Sequence, residues 1–427
     1  MITGLKNFFY FPIAKYFLFF AGLRLKRWKP TVIVVTGSNG KTTLLHLLES
    51  QLRARARYSH RANGMFGIAF HLLDLKRETL FKKEWINLFL LTPIRAFRKP
   101  PQEKYYVVEV DCDRPEEGKV IASFLEPDVV LLLSISRTHT VNFDKLILEK
   151  KFENIEEAVA YEFGYLLEYC KRQVVVNGDN PFISEQLYRT RASIVRIEKQ
   201  SWLEDYIVHI GKTEFIMQGK KYNFSYLLPE ETFYAIAMCR QLVNYLKMQI
   251  DMTFTHFVLP PGRSSVFQGV KETTIIDSTY NATPASVAVI LSMFQKYKSK
   301  KKWIVLSDMV ELGDEEQEEH ERLAELLGKT DAERILLMGP RMVKYTYPIL
   351  SRKSKVESRK YILEKFLTPK EVLDYLEGNL QGGETILFKG ARFLEGVIEH
   401  LLRDKEDIAK LPRREEAWGR RRKEWGL

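Results

Sequence analysis

The sequence predicts an α/β protein made of two consecutive, doubly wound domains. Three observations carry this. Short β-branched runs alternate with runs of helical periodicity, the pattern of parallel sheets covered by helices. The alternation breaks at "LPPGRSS" (259–265), a Pro/Gly punctuation, and then resumes. A glycine loop, "TGSNGKTT" (36–43), joins a strand to a helix near the start of the first domain. With 427 residues, 45% hydrophobic and 12% aromatic, the chain can fill two cores, which argues against extended disorder.

In chain order, residues 7–23 ("NFFYFPIAKYFLFFAGL") are apolar but short for a spanning helix, and Pro12 and Lys15 interrupt them. No small-residue cleavage site follows, so a secretory signal fits poorly. Two readings stay open: a helix packed on the protein's own sheet, or an interfacial helix. The second would make residues 7–29 a peripheral contact at the inner face of the membrane, with "RLKRWK" on the lipid. "TVIVV" (31–35) reads as a buried parallel strand, and "KTTLLHLLESQLRARA" as the helix after the loop. "KYYVVEVD", "DVVLLLSIS" and "RQVVVNGD" are three further strands, separated by helical patterns such as "GKVIASFL". Residues 205–225 alternate in short pieces around Gly and read as an antiparallel insert, followed by a helix at about 230–247.

Beyond the break, "TTIIDS", "KWIVLSDM", "ERILLMG" and "ETILFKG" are strands, with "PASVAVILSMFQKY" and "EEHERLAELLGK" as helices between them. The last 25 residues are charged and read as a helical or mobile tail. The expected division is an N-terminal segment 1–29, a first domain 30–258, a second domain 259–402 and a tail 403–427.

The formal charge is +11 and the isoelectric point about 9.2. This permits nucleic acid, anionic lipid or phosphorylated ligands. No RNA-binding signature or zinc-finger spacing is present, so nucleic acid is not an expected partner, and the charge reads as solubility plus phosphate affinity. Cys112, Cys170 and Cys239 lie far apart, which speaks against a disulfide scaffold or a zinc site and fits a cytoplasmic protein.

The strict P-loop pattern fails, because Val35 stands where its first glycine belongs. The chemistry nonetheless fits a phosphate chain. Gly37 and Gly40 let the backbone approach closely, and the helix beginning near Lys41 adds free N–H groups and its dipole. Lys41 would place its ammonium on the outer phosphates, and Thr42 would hold Mg²⁺ through its hydroxyl.

The order Thr36-Gly37-Ser38-Asn39-Gly40-Lys41-Thr42-Thr43 resembles the Mur ligases and their folylpolyglutamate synthetase relatives, whose phosphate loop has this shorter form. The resemblance spans roughly residues 30–402. It implies a P-loop-containing Mur ligase central domain followed by a Rossmann-like Mur ligase C-terminal domain. It also implies ATP and Mg²⁺, and amide-bond formation through an acyl phosphate. "ANGMFGIAFHLL" is similar to the Asn/Gly segment after the family's loop, and residues 107–139 to its metal and catalytic stretch. Glu109 and His139 match the family's metal-site Glu and His, and "VVVNGDNP" its Asn-x-Asp segment.

The series "GRSSVFQ", "IIDSTYNATPAS", "LSDMVELGDEEQEEH" and "LFKGAR" is similar to the branch that adds D-alanyl-D-alanine to a peptidoglycan-precursor peptide. By that likeness Arg263, Asp277 and Asn281 would contact nucleotide, with Tyr280 and Lys389 toward substrate. Taken singly, Asp277 reads equally as a helix cap and His320 as a packed histidine.

Three departures bear on activity. The family begins with a domain that grips the UDP-sugar, whereas here residues 1–29 precede the loop strand, so that grip is absent or comes from a partner chain. The family's carbamylated lysine aligns with Phe163, with Lys150 or Lys151 as substitutes under a shifted alignment. Its adenine-holding His-x-x-x-Asn is missing, with Tyr234 in the Asn place. The alternative to a ligase is therefore a nucleotide-binding scaffold without turnover.

Overall fold

The computed structural model describes residues 2–60, 62–77, 84–137, 142–149, 151–356, 361–390 and 393–427. The chain forms two compact units. The first comprises 1–136, 145–199 and 234–257; the second comprises 137–144, 200–233 and 258–427.

The first unit is a six-stranded, wholly parallel sheet. Its strands are β1 (Thr31–Thr36), β2 (Ala56–Tyr58), β3 (Tyr105–Val110), β4 (Val129–Leu132), β5 (Gln173–Asn177) and β6 (Ser193–Ile197), in the order β2-β3-β1-β4-β5-β6. Ile33, Val34 and Val35 of β1, with Val107 and Val108 of β3, have no solvent exposure, as expected for strands buried on both faces. Its first five helices are α1 (Ile2–Trp28), α2 (Lys41–Leu52), α3 (Met65–Leu73), α4 (Glu84–Ala96) and α5 (Glu117–Leu125).

Helix α1 runs through Pro12, which forfeits one intrahelical hydrogen bond. Packing compensates: Ala14, Phe17, Leu18 and Ala21 are buried. The Phe17 ring lies 5.0 Å from both Phe70 of α3 and Phe89 of α4. Arg24 donates to the Leu72 carbonyl at 2.9 Å, and the Trp28 indole to the Glu103 carbonyl at 2.8 Å. Of the two readings of residues 7–23, packing on the protein itself accounts for most of the segment, but against helices α3 and α4 rather than directly on the sheet as expected. Among the described residues no helix is long and apolar enough to cross a membrane.

The second unit holds two sheets. Strands β7 (Leu203–His209), β8 (Lys212–Met217) and β9 (Lys220–Phe224) form the antiparallel insert, turning at Gly211 and Gly219 with φ of 67° and 68°. The other sheet contains β10 (Ser265–Gln268), β11 (Thr274–Ser278), β12 (Lys302–Ser307), β13 (Arg334–Met338), β14 (Ile362–Phe366) and β15 (Thr385–Lys389). Its order is β10-β11-β15-β12-β13-β14, with only β10 antiparallel.

Residues 200–233 group with this second unit, although the sequence reading places them before the break at 259. Lys296 explains the grouping: it pairs with Glu230 at 2.7 Å and lies 4.7 Å over the Tyr206 ring. The C-terminal tail is helical over Glu416–Glu424, and Leu411 is buried.

Candidate active site

In the first unit the loop 36–43 is held by the segment that leaves β4. Ser38 donates its backbone N–H to the Ser134 carbonyl at 2.8 Å and its hydroxyl to the Ser136 carbonyl at 3.0 Å. The Asn39 N–H donates to Ser134 Oγ, and the Asn39 side chain to Ser136 Oγ, each at 3.0 Å. This rung forms because Ser replaces the apolar residues of β4 at its carboxyl end, where the loop must turn. Asn177, the last residue of β5, and Asn180 just beyond it brace the same segment by donating to the Leu133 and Ile135 carbonyls at 3.0 Å.

Both loop glycines are required by geometry. Gly37 has φ 129°, and a Cβ there would sit 2.8 Å from the Ser134 nitrogen. Gly40, at φ 85°, is the left-handed N-cap of α2 and offers no capping side chain. The N-terminus of α2 therefore opens on the loop with no capping side chain from Gly40, the kind of helix end that binds phosphate.

Lys41 is fixed by two partners. Its Nζ donates to the Gly37 carbonyl at 2.6 Å and pairs with Asp111 Oδ2 at 2.8 Å, both side chains being 8% exposed. Burial alone would drive the ammonium toward neutrality. Asp111 and Glu109 outweigh it and hold Lys41 above the ordinary lysine range, so it stays charged. Thr42 Oγ1 donates to Glu109 Oε2 at 3.3 Å, and Thr43 follows on the same turn of α2, half-buried. Glu109 is placed by its own backbone, whose N–H donates to Ser59 Oγ at 2.8 Å.

The sequence reading omitted Asp111. Its signal was present: in "VVEVD" Asp111 follows Glu109 at the two-residue period that returns a side chain to the same face. His139 and Lys150 lie outside the described residues.

Phe163 is buried on the helix Ile155–Glu168 and packs in the core. Beside it, Glu162 accepts the N–H groups of Glu116 and Gly118 at 2.8 and 3.0 Å, capping α5. Burial pushes this carboxyl up to about 7. Lys151 pairs on the surface with Glu149 at 2.6 Å. Tyr234 donates its hydroxyl to Asp179 of the Asn-x-Asp segment.

In the second unit, Asp277 and Lys389 end adjacent parallel strands, with Ser278 in register with Lys389. Asp277 has no exposure. Its Oδ1 accepts the Thr279 N–H and hydroxyl at 2.9 and 2.7 Å, while its Oδ2 is buried without a hydrogen-bond partner. Burial raises its carboxyl above the ordinary range.

Lys389 is also buried and donates to the Asn281 carbonyl at 2.8 Å. Burial, reinforced by Arg263, pushes its ammonium down to about 7. Arg263 lies 4.7 Å over the Tyr280 ring, and Arg413 of the tail donates to the Thr279 carbonyl at 3.0 Å. The structure thus gathers Arg263, Asp277, Tyr280, Asn281 and Lys389 at one end of the β11–β15 pair. His320 is fully buried, accepting the Met309 N–H at 3.2 Å, and burial lowers its pKa, so it packs as a neutral ring.

Lys389 gives a pH signature. Its ordinary pKa is 10.5 and its folded value about 7, so between these the unfolded chain binds the extra proton. Stability therefore rises with pH across that window. Lys389→Met is expected to flatten that rise, read as thermal midpoint against pH. An unchanged slope would place the titration elsewhere.

Residues 35–233 match the Mur ligase middle domain, and residues 262–392 match the Mur ligase glutamate ligase domain. The UDP-N-acetylmuramoyl-tripeptide–D-alanyl-D-alanine ligase of Buchnera aphidicola is 22% identical over 407 residues, covering 90% of this chain and 79% of that protein. The Bacillus subtilis ligase of the same name is 23% identical over 390 residues, covering 87% and 75%.

Among solved structures, the MurF ligase of Thermotoga maritima in complex with ADP superposes with a TM-score of 0.71 at 22% identity, covering 93% of this chain and 84% of that one. The folylpolyglutamate synthase of Mycobacterium tuberculosis, complexed with ADP and AMPPCP, gives 0.59 at 14%, covering 90% and 94%. These structural likenesses show the fold.

Proposed function

Because the chain belongs to the Mur ligase family, we propose that it is an ATP-dependent amide ligase joining D-alanyl-D-alanine, or a similar amine, to the peptide carboxylate of a peptidoglycan precursor. The observation that carries this is the loop 36–43 with charged Lys41 locked between the Gly37 carbonyl and Asp111. Curated relatives carrying the D-alanyl-D-alanine ligase name, and a structural neighbour complexed with ADP, support the reading.

In the proposed reaction the substrate carboxylate oxygen takes the γ-phosphoryl group of ATP, and ADP departs. The amine nitrogen then attacks the acyl carbon. Phosphate leaves with its bonding electrons, and the nitrogen gives up a proton to solvent. Residues 37–43 cradle the phosphates, and Lys41 steadies the outer ones.

Thr42 and Glu109 fit Mg²⁺ as a hydroxyl and a carboxylate oxygen already side by side, the hard donors this ion takes. When bound, the ion neutralises charge on the transferring phosphoryl group. His139 is proposed beside them by the family pattern alone. Arg263, Asp277 and Asn281 are proposed on the nucleotide side, and Tyr280 and Lys389 toward substrate. The reaction draws on ATP and a soluble precursor, so we assign it to the cytoplasm.

A second reading, a nucleotide-binding scaffold without turnover, is favoured by one observation. Phe163 packs in the core where the family places its carbamylated lysine. Phosphate release from ATP with D-alanyl-D-alanine, with and without UDP-N-acetylmuramoyl-tripeptide, separates the two. Release that requires both substrates is expected. ATP binding with no release for any substrate pair would favour the scaffold.

A further inference from the structure

Helix α4 is apolar on both sides. Its inner side is accounted for: Leu88, Thr92 and Ala96 are buried, and Phe89 packs against Phe17. Its outer side is not. Ile86, Leu90, Ile94 and Phe97 recur at helical spacing and are each 60–66% exposed, with Leu91 at 40%. Phe19 of α1 adds another ring at 63%. A helix apolar all round is ordinarily buried, and a contiguous exposed apolar face marks something that covers it.

The charge beside this face identifies the cover. Among the described residues of 76–99, Lys76, Arg77, Arg95, Arg98 and Lys99 are basic and Glu84 alone is acidic. Three residues beyond the end of α4, Lys99 enters a cavity of about 730 Å³ whose lining includes Arg24, Arg55, Arg57 and Lys104, with Glu103 as its one carboxylate. Arg24 is 4% exposed, and its Nε is buried with no hydrogen-bond partner. A single carboxylate, Asp74, serves both Arg24 and Arg57. The cavity is therefore short of anions.

It is also distinct from the nucleotide loop. Arg55 and Lys104 immediately precede β2 and β3, at the amino end of the sheet, whereas the loop follows the carboxyl end of β1. The two ends are a strand length apart, about 20 Å. Ligand crevices of such sheets lie at the carboxyl ends, so this cavity is not part of one.

We propose that this face docks the chain on an anionic phospholipid bilayer. The exposed side chains of α4 and Phe19 enter the acyl boundary, and the cavity takes a headgroup phosphate. Hydrocarbon and phosphate side by side are what an anionic bilayer surface offers. A second copy of the chain fits less well, because a two-fold contact would bring the same basic segment against itself. The proposal revises the role of residues 7–29: α1 is chiefly the support on which α4 lies.

The test is co-sedimentation of the full chain with phosphatidylcholine vesicles, with and without phosphatidylglycerol, in the absence of ATP. Binding is expected only to the anionic vesicles and should weaken as salt is raised. Leu90→Asp with Ile94→Asp, both on exposed positions, should reduce binding at least tenfold. Arg55→Ala with Lys99→Ala should abolish the preference for anionic lipid. Circular dichroism should match the parent in both.

No sedimentation, equal sedimentation with neutral vesicles, or retention of binding by the Asp variant would overturn the proposal. So would a parent dimer that the Asp variant splits, or inorganic phosphate protecting the cavity while vesicles are ignored. None of these outcomes touches the ligase reading, which the phosphate-release assay tests separately.

Discussion

Lys41→Ala is expected to lower phosphate release from ATP by about a thousandfold, the scale on which one preorganised charge stabilises a transition state. Under the proposed function this side chain meets the transferring phosphoryl group, and its ammonium is held by Gly37 and Asp111 and kept charged against burial. Removing it has a second consequence. Asp111 is left buried without its partner, and breaking a buried pair from one side costs about 3–5 kcal/mol unless the carboxyl takes up a proton.

The stability loss and the activity loss can be separated. Lys41→Ala combined with Asp111→Asn should recover most of the stability and none of the turnover. Asp111→Asn alone should lower turnover while Lys41 remains, because the ammonium loses its orienting partner. Denaturant midpoints and phosphate release, measured on all three variants, check this. Full turnover in Lys41→Ala would remove the loop from the catalytic assignment.

Gly37→Ala is expected to destabilise the first unit by roughly 2–4 kcal/mol, combining backbone strain with overpacking. At φ 129° the residue occupies a region that side chains rarely adopt, and the added methyl would lie 2.8 and 2.9 Å from the Ser134 nitrogen and oxygen. Relief requires the loop to lift from β4, which breaks the Ser38–Ser134 bond and displaces Lys41.

Gly211→Ala is the matched control. Gly211 also has positive φ, at 67°, but nothing lies within 4 Å of the added methyl. It should cost only the backbone term, about 1–2 kcal/mol. Urea midpoints together with ATP affinity measure both effects. Equal losses in the two variants would mean that the loop is not seated on β4.

Most of the architecture is legible in the sequence, since it rests on local pattern. Runs such as "TVIVV" and "DVVLLL" have no polar face to offer solvent, so they must be interior parallel strands. "LPPGRSS" cannot continue a helix or a strand. Gly37, Gly40, Lys41 and Thr42 announce a phosphate loop because a strand–turn–helix junction with those residue types has few other uses. Thr42 was expected at a metal from the loop chemistry and Glu109 from the resemblance, and the structure sets the two 3.3 Å apart.

What only the tertiary structure decided are partnerships across long stretches of chain. Asn39 and Ser134 are 95 residues apart, and Ser38 and Ser136 are 98 apart, yet they form the rung that seats the loop. Asp111 reads as one more strand-end carboxylate until β3 is laid beside β1, which carries it to Lys41. Composition leaves residues 7–23 open between an interfacial helix and a packed one, and only the fold sets Phe17 against the aromatic rings of α3 and α4 while leaving Phe19 exposed. The low pKa of Lys389 is likewise invisible in "LFKG", because it arises from burial beside Arg263. Periodicity encodes which face of an element is apolar. Which elements meet, and hence which charges are desolvated together, is determined by the packing of the whole sheet.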